Sequence, residues 1–186
     1  MILKKGLQVY HGSYIIVEKP DLAMCRAGKD FGIGFYVTTD IEQAKRFVKL
    51  SAGKAQKNGA VSQKLEKGYV SVYEISDIDK LKVFEFAGAD SEWLHCVAAH
   101  RRGSLIINET EKWKTYEIIA GKIANDNTNR VITAYINGLY GTVGSESADR
   151  RAISLLMPEK LTDQICFRTA KAMKALKYIG FEEVLL

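Results

Sequence analysis

Residues 30–40 read Asp30-Phe31-Gly32-Ile33-Gly34-Phe35-Tyr36-Val37-Thr38-Thr39-Asp40 and organise the interpretation of the chain. Two glycines separated by one residue predict a tight loop whose backbone approaches another group closely. The aromatic and β-branched residues that follow predict a strand. Thr39 or Asp40 then suits the N-cap of a helix over residues 41–50. Its apolar face would carry Ile41, Ala44, Phe47 and Val48. Loop, strand, cap and helix together predict a pocket wall with a polar rim.

Outward from this segment, the sequence predicts short strands and helices in irregular order. Strands are predicted over residues 7–10, 69–75, 81–86, 116–120 and 164–168, and helices over 91–102, 129–139 and 169–177. A further helix, capped by Ser145 or Ser147, would end before Pro158. The run Asn125-Asp126-Asn127 is typical of a turn. This irregular order favours an α+β fold over a parallel α/β sheet.

Length and composition predict one globular domain over residues 1–186. The chain is 47% hydrophobic and 26% charged, and it has no proline-rich linker. The chain has an odd number of cysteines, Cys25, Cys96 and Cys166, and they form no Cys-x-x-Cys motif. This favours reduced thiols and a cytoplasmic protein. No signal peptide and no apolar run of about 20 residues are visible, so no membrane partner is expected. The net charge of +5 is explained either by an ordinary solvated basic surface or by attraction to a polyanion, such as the pyrophosphate of NAD, nucleic acid or an acidic partner.

Motifs in a fixed order along the chain resemble a known family. They are Tyr10-His11-Gly12-Ser13, Pro20-Asp21, Lys29–Thr39, Gln43-Ala44, Trp93-Leu94, Tyr116–Asp126 and Asp163–Phe167. Their order is similar to that of DUF3990, a bacterial family of uncharacterised ADP-ribosyltransferase-like proteins. The segment Phe31-Gly32-x-Gly34-x-Tyr36 also resembles the nicotinamide-binding segment of the poly(ADP-ribose) polymerase and diphtheria-toxin branch. The resemblance covers roughly Val9 to Gly180.

This resemblance implies an ADP-ribosyltransferase fold, in which two small antiparallel sheets form a split β-sandwich with flanking helices and an NAD cleft. It also implies roles for individual residues. His11 would bind the ribose hydroxyl on the adenosine side, and Gly12 would offer its backbone N–H and C=O to the nicotinamide amide. Ser13 would add a ribose or amide contact. Tyr36 would stack on nicotinamide, and Phe47 would close the other face.

A purely structural role is the alternative for several of these residues. His11 can be a strand-end histidine, Gly12 a turn glycine and Phe47 a core residue of an apolar helix face. In the polymerase branch a serine on the same helix binds the nicotinamide amide, and Ala44 stands at that position here. Arg26 is a candidate for a pyrophosphate contact. Asp30 is expected to brace its own loop.

Gln164 stands where the polymerases and diphtheria toxin carry a glutamate, so the implied catalytic triad is His11, Tyr36 and Gln164. An amide can bind the 2′-hydroxyl of the nicotinamide ribose, but it cannot act as a carboxylate base. The alternative is that Gln164 is a polar residue at the start of a strand and binds no ligand.

The resemblance implies a mono-ADP-ribosyltransferase that uses NAD as co-substrate, with a protein or nucleic acid as acceptor. Members of the family often act as toxins beside a small antitoxin, so a bacterial toxin–antitoxin role extends this expectation. An NAD glycohydrolase and a non-catalytic NAD- or ADP-ribose-binding module are the alternatives. His95 and His100 are five residues apart rather than the four of a helical zinc pair, so no metal site is predicted.

Overall fold

The computed structural model describes residues 3–102, 107–123, 126–157 and 161–186, without the side chains of residues 107–110 and 126–127. Within these ranges the chain forms seven strands and six α-helices. The strands are β1 (Gln8–Ser13), β2 (Phe35–Val37), β3 (Lys67–Ile75), β4 (Val83–Glu85), β5 (Ile118–Lys122), β6 (Asp163–Phe167) and β7 (Leu176–Leu185). The helices are α1 (Ile41–Lys57), α2 (Ser91–Arg101), α3 (Ile107–Lys114), α4 (Asp126–Ile136), α5 (Glu146–Leu156) and α6 (Ala170–Met173), and a 3-10 helix spans Leu22–Met24.

The strands form two sheets, which confirms the α+β class. The first sheet has the order β1-β3-β7, and the second has the order β2-β6-β5-β4. All pairs in the first sheet are antiparallel, but β4 and β5 of the second are parallel. The expectation of two purely antiparallel sheets is therefore wrong for this pair. Helices α2 and α3 lie between β4 and β5, and a crossover of that length returns the chain in the same direction.

Two hydrophobic cores give the molecule its layers. Between the sheets, Val9 and Tyr73 of the first sheet pack with Phe35, Ile165 and Phe167 of the second. On the other face of the second sheet, a larger core joins it to α2, α4 and α5. That core includes Trp93, Leu94, Val97, Ile119, Ile132, Tyr135 and Ala152. Because side chains alternate across a strand, neighbouring residues such as Ile118 and Ile119 serve different cores.

Helix α1 covers the outer face of the first sheet. Its buried residues Ala44 and Val48 pack against Val70 of β3. The N-cap is Asp40, whose carboxylate accepts hydrogen bonds from the backbone N–H groups of Glu42 and Gln43. The helix continues to Lys57, seven residues beyond the predicted core segment.

Some element predictions are wrong in detail. Ser91 was the predicted N-cap of the helix over residues 91–102, but Asp90 caps α2. Asp126 begins helix α4 rather than forming a turn. The predicted C-terminal helix is only four residues long, because the chain turns into the long strand β7 at Leu176. Asn125 and Pro158, which were predicted in a turn and at a helix end, lie outside the described residues.

Candidate functional site

A cleft of about 940 Å³ opens between β1, β2 and the inner side of α1, and α2 and α4 form its far wall. All six predicted site residues line it: His11, Gly12, Ser13, Tyr36, Phe47 and Gln164. They come from β1, β2, α1 and β6, elements that are far apart in sequence. The structure therefore brings the predicted residues into one site.

The cleft begins where the two sheets separate. Tyr10 of β1 and Thr38 exchange backbone hydrogen bonds of 2.8 and 3.0 Å, which joins the sheets at one bridge. If this antiparallel ladder continued, Gly12 would pair with Tyr36. Instead, the imidazole of His11 lies 2.7 Å from the carbonyl oxygen of Tyr36 through Nδ1. The side chain of His11 thus replaces the next backbone bridge.

The backbone of Gly12 consequently faces the cleft. On β1, residues 9, 11 and 13 direct their backbone groups toward β3, and Tyr10 directs its groups toward Thr38. The alternation of an antiparallel ladder puts the N–H and C=O of Gly12 on the same side as those of Tyr10. Among the described residues, no backbone partner meets them there. Such a donor–acceptor pair suits a ligand that carries a primary amide.

The lack of a side chain at Gly12 has a structural reason as well. A Cβ atom at this position would lie 2.0 Å from the carbonyl oxygen of Ala44 in α1. Glycine therefore lets α1 pack directly on β1, and the same close packing brings Phe47 of α1 to the cleft. The interpretation of Gly12 as a turn glycine is wrong, because Gly12 lies within β1 and pairs with Val70 of β3. Its structural role is this close packing, and the backbone geometry allows a binding role alongside it.

The environment of His11 defines how its ring can bind. Nδ1 faces a carbonyl oxygen, so Nδ1 carries the hydrogen and Nε2 is an acceptor in the neutral ring. Burial lowers the pKa of His11, which favours the neutral form near pH 7. The ring also packs against Phe35, with 4.3 Å between centroids. His11 is thus held as a neutral hydrogen-bond acceptor at the start of the cleft.

Tyr36 is fixed by the glycine loop that precedes it. Its hydroxyl donates to the carbonyl oxygen of Gly32 at 2.8 Å and accepts from the N–H of Phe31 at 2.9 Å. Burial raises the pKa of this hydroxyl, so it remains a donor. The hydroxyl is therefore occupied in bracing residues 31–32, and the part of Tyr36 that a ligand can use is its ring.

Phe47 and Ser13 differ in their exposure. Phe47 is 39% exposed, whereas its neighbour Val48 is fully buried, so Phe47 lies beside the apolar face of α1 and not within it. The core interpretation of Phe47 is wrong, and its ring forms part of the cleft wall. Ser13 is buried, and its hydroxyl accepts a long hydrogen bond of 3.5 Å from the N–H of Ile15.

Gln164 is buried at the base of the cleft and is held by two acceptors. Its Nε2 donates to Asp30 Oδ2 at 2.7 Å and to the carbonyl oxygen of Lys122 at 3.3 Å. Asp30 also accepts from Arg101, with 2.8 Å from Nε to Oδ1. The sequence suggested that Asp30 braces its loop, and its contact with Gln164 was missed because the two residues lie on different elements.

Several cationic side chains line the cleft, on α1, at the C-terminal end of α2 and in the loop before β2. They are Lys29, Lys54, Arg101 and Arg102. Arg26, the predicted pyrophosphate contact, does not line the cleft. Burial and the neighbouring charge of Lys54 lower the pKa of Lys29. Mutual repulsion of this kind is relieved when an anion binds. The sequence carried no signal for Lys54, Arg101 or Arg102 because they are spread over two helices.

The family model for "Protein of unknown function (DUF3990)" matches residues 7–178. The chain belongs to this family. Searches of curated proteins and of solved structures returned no match. Among the described residues, no helix combines the length and the apolar character needed to cross a bilayer.

Proposed function

We propose that this protein is an NAD-dependent mono-ADP-ribosyltransferase whose fold is a variant of the ADP-ribosyltransferase fold. The observation that carries the proposal is the divergence of β1 and β2. At this point the backbone N–H and C=O of Gly12 have no backbone partner among the described residues, and Tyr36 lines the same cleft. This geometry suits the carboxamide and the flat ring of nicotinamide together.

The remaining cleft residues fit the rest of NAD. Nε2 of His11 would accept a hydrogen bond from a ribose hydroxyl, and Phe47 would cover the open side of the nicotinamide ring. Lys54, Arg101 and Arg102 would attract the pyrophosphate. The volume of the cleft is in the range of pockets that hold small molecules of cofactor size.

In the proposed reaction the bond between nicotinamide and ribose breaks, and nicotinamide leaves with the bonding electrons. Positive charge then develops on the ribose carbon that carried nicotinamide. The nucleophile of the acceptor attacks that carbon and releases its own proton. A group that binds more tightly as the charge develops accelerates this step. The amide oxygen of Gln164 can accept a hydrogen bond from the 2′-hydroxyl of the ribose. Because residue 164 is an amide and not a carboxylate, it cannot deprotonate a sugar hydroxyl for chain growth.

A toxin controlled by an antitoxin extends this proposal on the strength of the family resemblance. Its test is whether expression slows the growth of a bacterial host and whether His11→Ala relieves the effect at equal protein level.

The binding part of the proposal is tested by calorimetric titration with NAD. Tyr36→Ala removes the ring and the two hydrogen bonds to residues 31–32, whereas Tyr36→Phe removes only the hydrogen bonds. We expect Tyr36→Phe to bind NAD within about threefold of wild type and Tyr36→Ala to bind at least about tenfold more weakly, since stacking is lost.

The matched pair separates stacking from loop bracing. If both variants lose affinity equally, the hydroxyl and its loop matter and the stacking role is wrong. If the wild type gives no binding heat when it is titrated with NAD, and nicotinamide does not change that titration, the cleft is not an NAD site.

A further inference from the structure

We infer that Asp30 is a positioning residue that fixes the amide of Gln164 with its oxygen toward the cleft. This inference rests on the proposed function for its catalytic consequence, although the contact itself can be tested without NAD. Asp30 and Gln164 are 7% and 6% exposed, so their hydrogen bond is shielded from water.

The hydrogen-bond geometry assigns the orientation of the amide. Nε2 of Gln164 has two hydrogens, and two acceptors face it, Asp30 Oδ2 and the carbonyl oxygen of Lys122. A reversed amide would direct Oε1 at both acceptors and lose both bonds. Because Nε2 is occupied, Oε1 is the amide atom that is left to bind a ligand. No donor among the described residues contacts it.

Arg101 keeps the carboxylate of Asp30 in place from the other side. Arg101 contacts Oδ1 through Nε at 2.8 Å and through Nη2 at 2.6 Å, while its Nη1 donates to Asn129 at 2.5 Å. Oδ1 is thus used by Arg101 and Oδ2 by Gln164. This division of the two oxygens fixes the plane of the carboxylate and, through it, the plane of the amide.

The consequence is an electron-rich acceptor at the position that a glutamate occupies in the resembled enzymes. Donation from Nε2 to a carboxylate polarises the amide and increases the negative charge on Oε1. A ribose 2′-hydroxyl can donate to that oxygen, and the bond strengthens as positive charge develops on the sugar. Asp30 and Gln164 together would then supply part of what one carboxylate supplies elsewhere.

Asp30→Asn is the informative substitution because it keeps shape and reverses polarity. The asparagine oxygen can still accept from Arg101, which turns its NH₂ group toward Gln164 and forces the amide of Gln164 to reverse. A hydroxyl is both donor and acceptor, so ground-state NAD binding should change little. The transition state, in contrast, would face an N–H group where it needs an oxygen.

The experiment measures NAD cleavage by wild type, Asp30→Asn, Gln164→Glu and the double variant, with Asp163→Asn as the control. Asp163 neighbours Gln164 but pairs with Lys122, and it does not line the cleft. We expect Asp30→Asn to lower kcat about tenfold to a hundredfold with KM within about threefold. The double variant should recover at least about tenfold of that loss, because asparagine can donate to the new carboxylate. Asp163→Asn should stay within about twofold of wild type.

A second readout needs no NAD. Gln164→Glu places two carboxylates about 2.7 Å apart, so one of them retains a proton and its pKa rises in the folded state. A raised carboxyl pKa makes stability fall as the pH increases. The Tm of Gln164→Glu should therefore drop between pH 5 and pH 8 relative to wild type, and the double variant should lose this drop.

The outcomes separate this inference from the proposed function. Unchanged kcat in Asp30→Asn, with active wild type, overturns the positioning role and leaves the function standing. A Tm profile of Gln164→Glu that matches wild type overturns the contact itself. Wild type that does not cleave NAD overturns the proposed function and the catalytic part of the inference, while the Tm profiles still decide the contact.

Discussion

At the scale of single residues, the candidate site was predicted from one local pattern, the glycine loop and strand before Tyr36, and otherwise from the family resemblance. The loop and strand that lead to Tyr36 predicted a pocket wall, and the family resemblance implied binding roles for His11, Gly12 and Ser13. The structure places these three residues and Tyr36 in the lining of the cleft. The sequence could not predict which polar atoms of the site residues already form hydrogen bonds within the protein. The hydroxyl of Tyr36 binds its own loop, and the amide nitrogen of Gln164 binds Asp30, because both contacts depend on tertiary packing.

His11 gives a prediction about pH at this scale. Burial lowers its pKa in the folded protein, so the unfolded chain binds the proton more readily. The stability contributed by the neutral ring is full above its ordinary pKa of 6.5 and is lost as the pH falls through the lowered value. His11→Asn keeps an N–H for the carbonyl of Tyr36 and does not titrate.

Chemical unfolding of both proteins from pH 8 to pH 4.5 is the measurement. We expect the difference in free energy of unfolding to be constant above about pH 7. Below that pH, the wild type should lose stability faster than His11→Asn. The pKa of His100 is also lowered by burial, but His100 is present in both proteins and cancels in the difference. Parallel curves across the whole range would show that His11 is not desolvated.

At the scale of elements, helix α1 shows where pattern reasoning succeeds and where it stops. Asp40 and the apolar spacing after it predicted the start and the buried face of the helix. The spacing also assigned Phe47 to that face, although it is 39% exposed. Helical period alone cannot distinguish the centre of a buried stripe from its edge. Strand β7 was missed because both of its faces carry exposed residues, including Glu182 and Glu183 in succession, so the alternation of apolar and polar residues is weak.

Phe47 provides the test at this scale. Because its ring lines the cleft and is only partly buried, Phe47→Ala should cost less than about 1 kcal/mol of stability. It should weaken NAD binding at least about fivefold, since the ring covers one face of nicotinamide. Val48→Ala is the matched control one position along the helix. It should cost more stability, about 1–2 kcal/mol, and leave NAD affinity near wild type. The opposite assignment, with Phe47→Ala the less stable of the two, would place Phe47 in the core.

At the scale of the whole molecule, the cleft forms where the two sheets separate beyond the backbone bridge between Tyr10 and Thr38. The α+β class followed from the irregular order of elements, and the separation of the sheets followed only from the family resemblance. The parallel pair β4–β5 and the cations of α1 and α2 have no local signature, because they depend on how distant segments meet. The proposed chemistry therefore depends on tertiary features that cluster around predicted motifs.

The most direct test of the proposed function is the release of nicotinamide from NAD by the purified protein, followed with mass spectrometry of the ADP-ribose products. We predict that wild type releases nicotinamide and yields single ADP-ribose units, free or attached to an added acceptor. Gln164→Ala should lower kcat about tenfold to a thousandfold with a smaller change in KM. Wild-type protein that binds NAD but releases no nicotinamide, with or without bacterial lysate as a source of acceptors, would contradict the account.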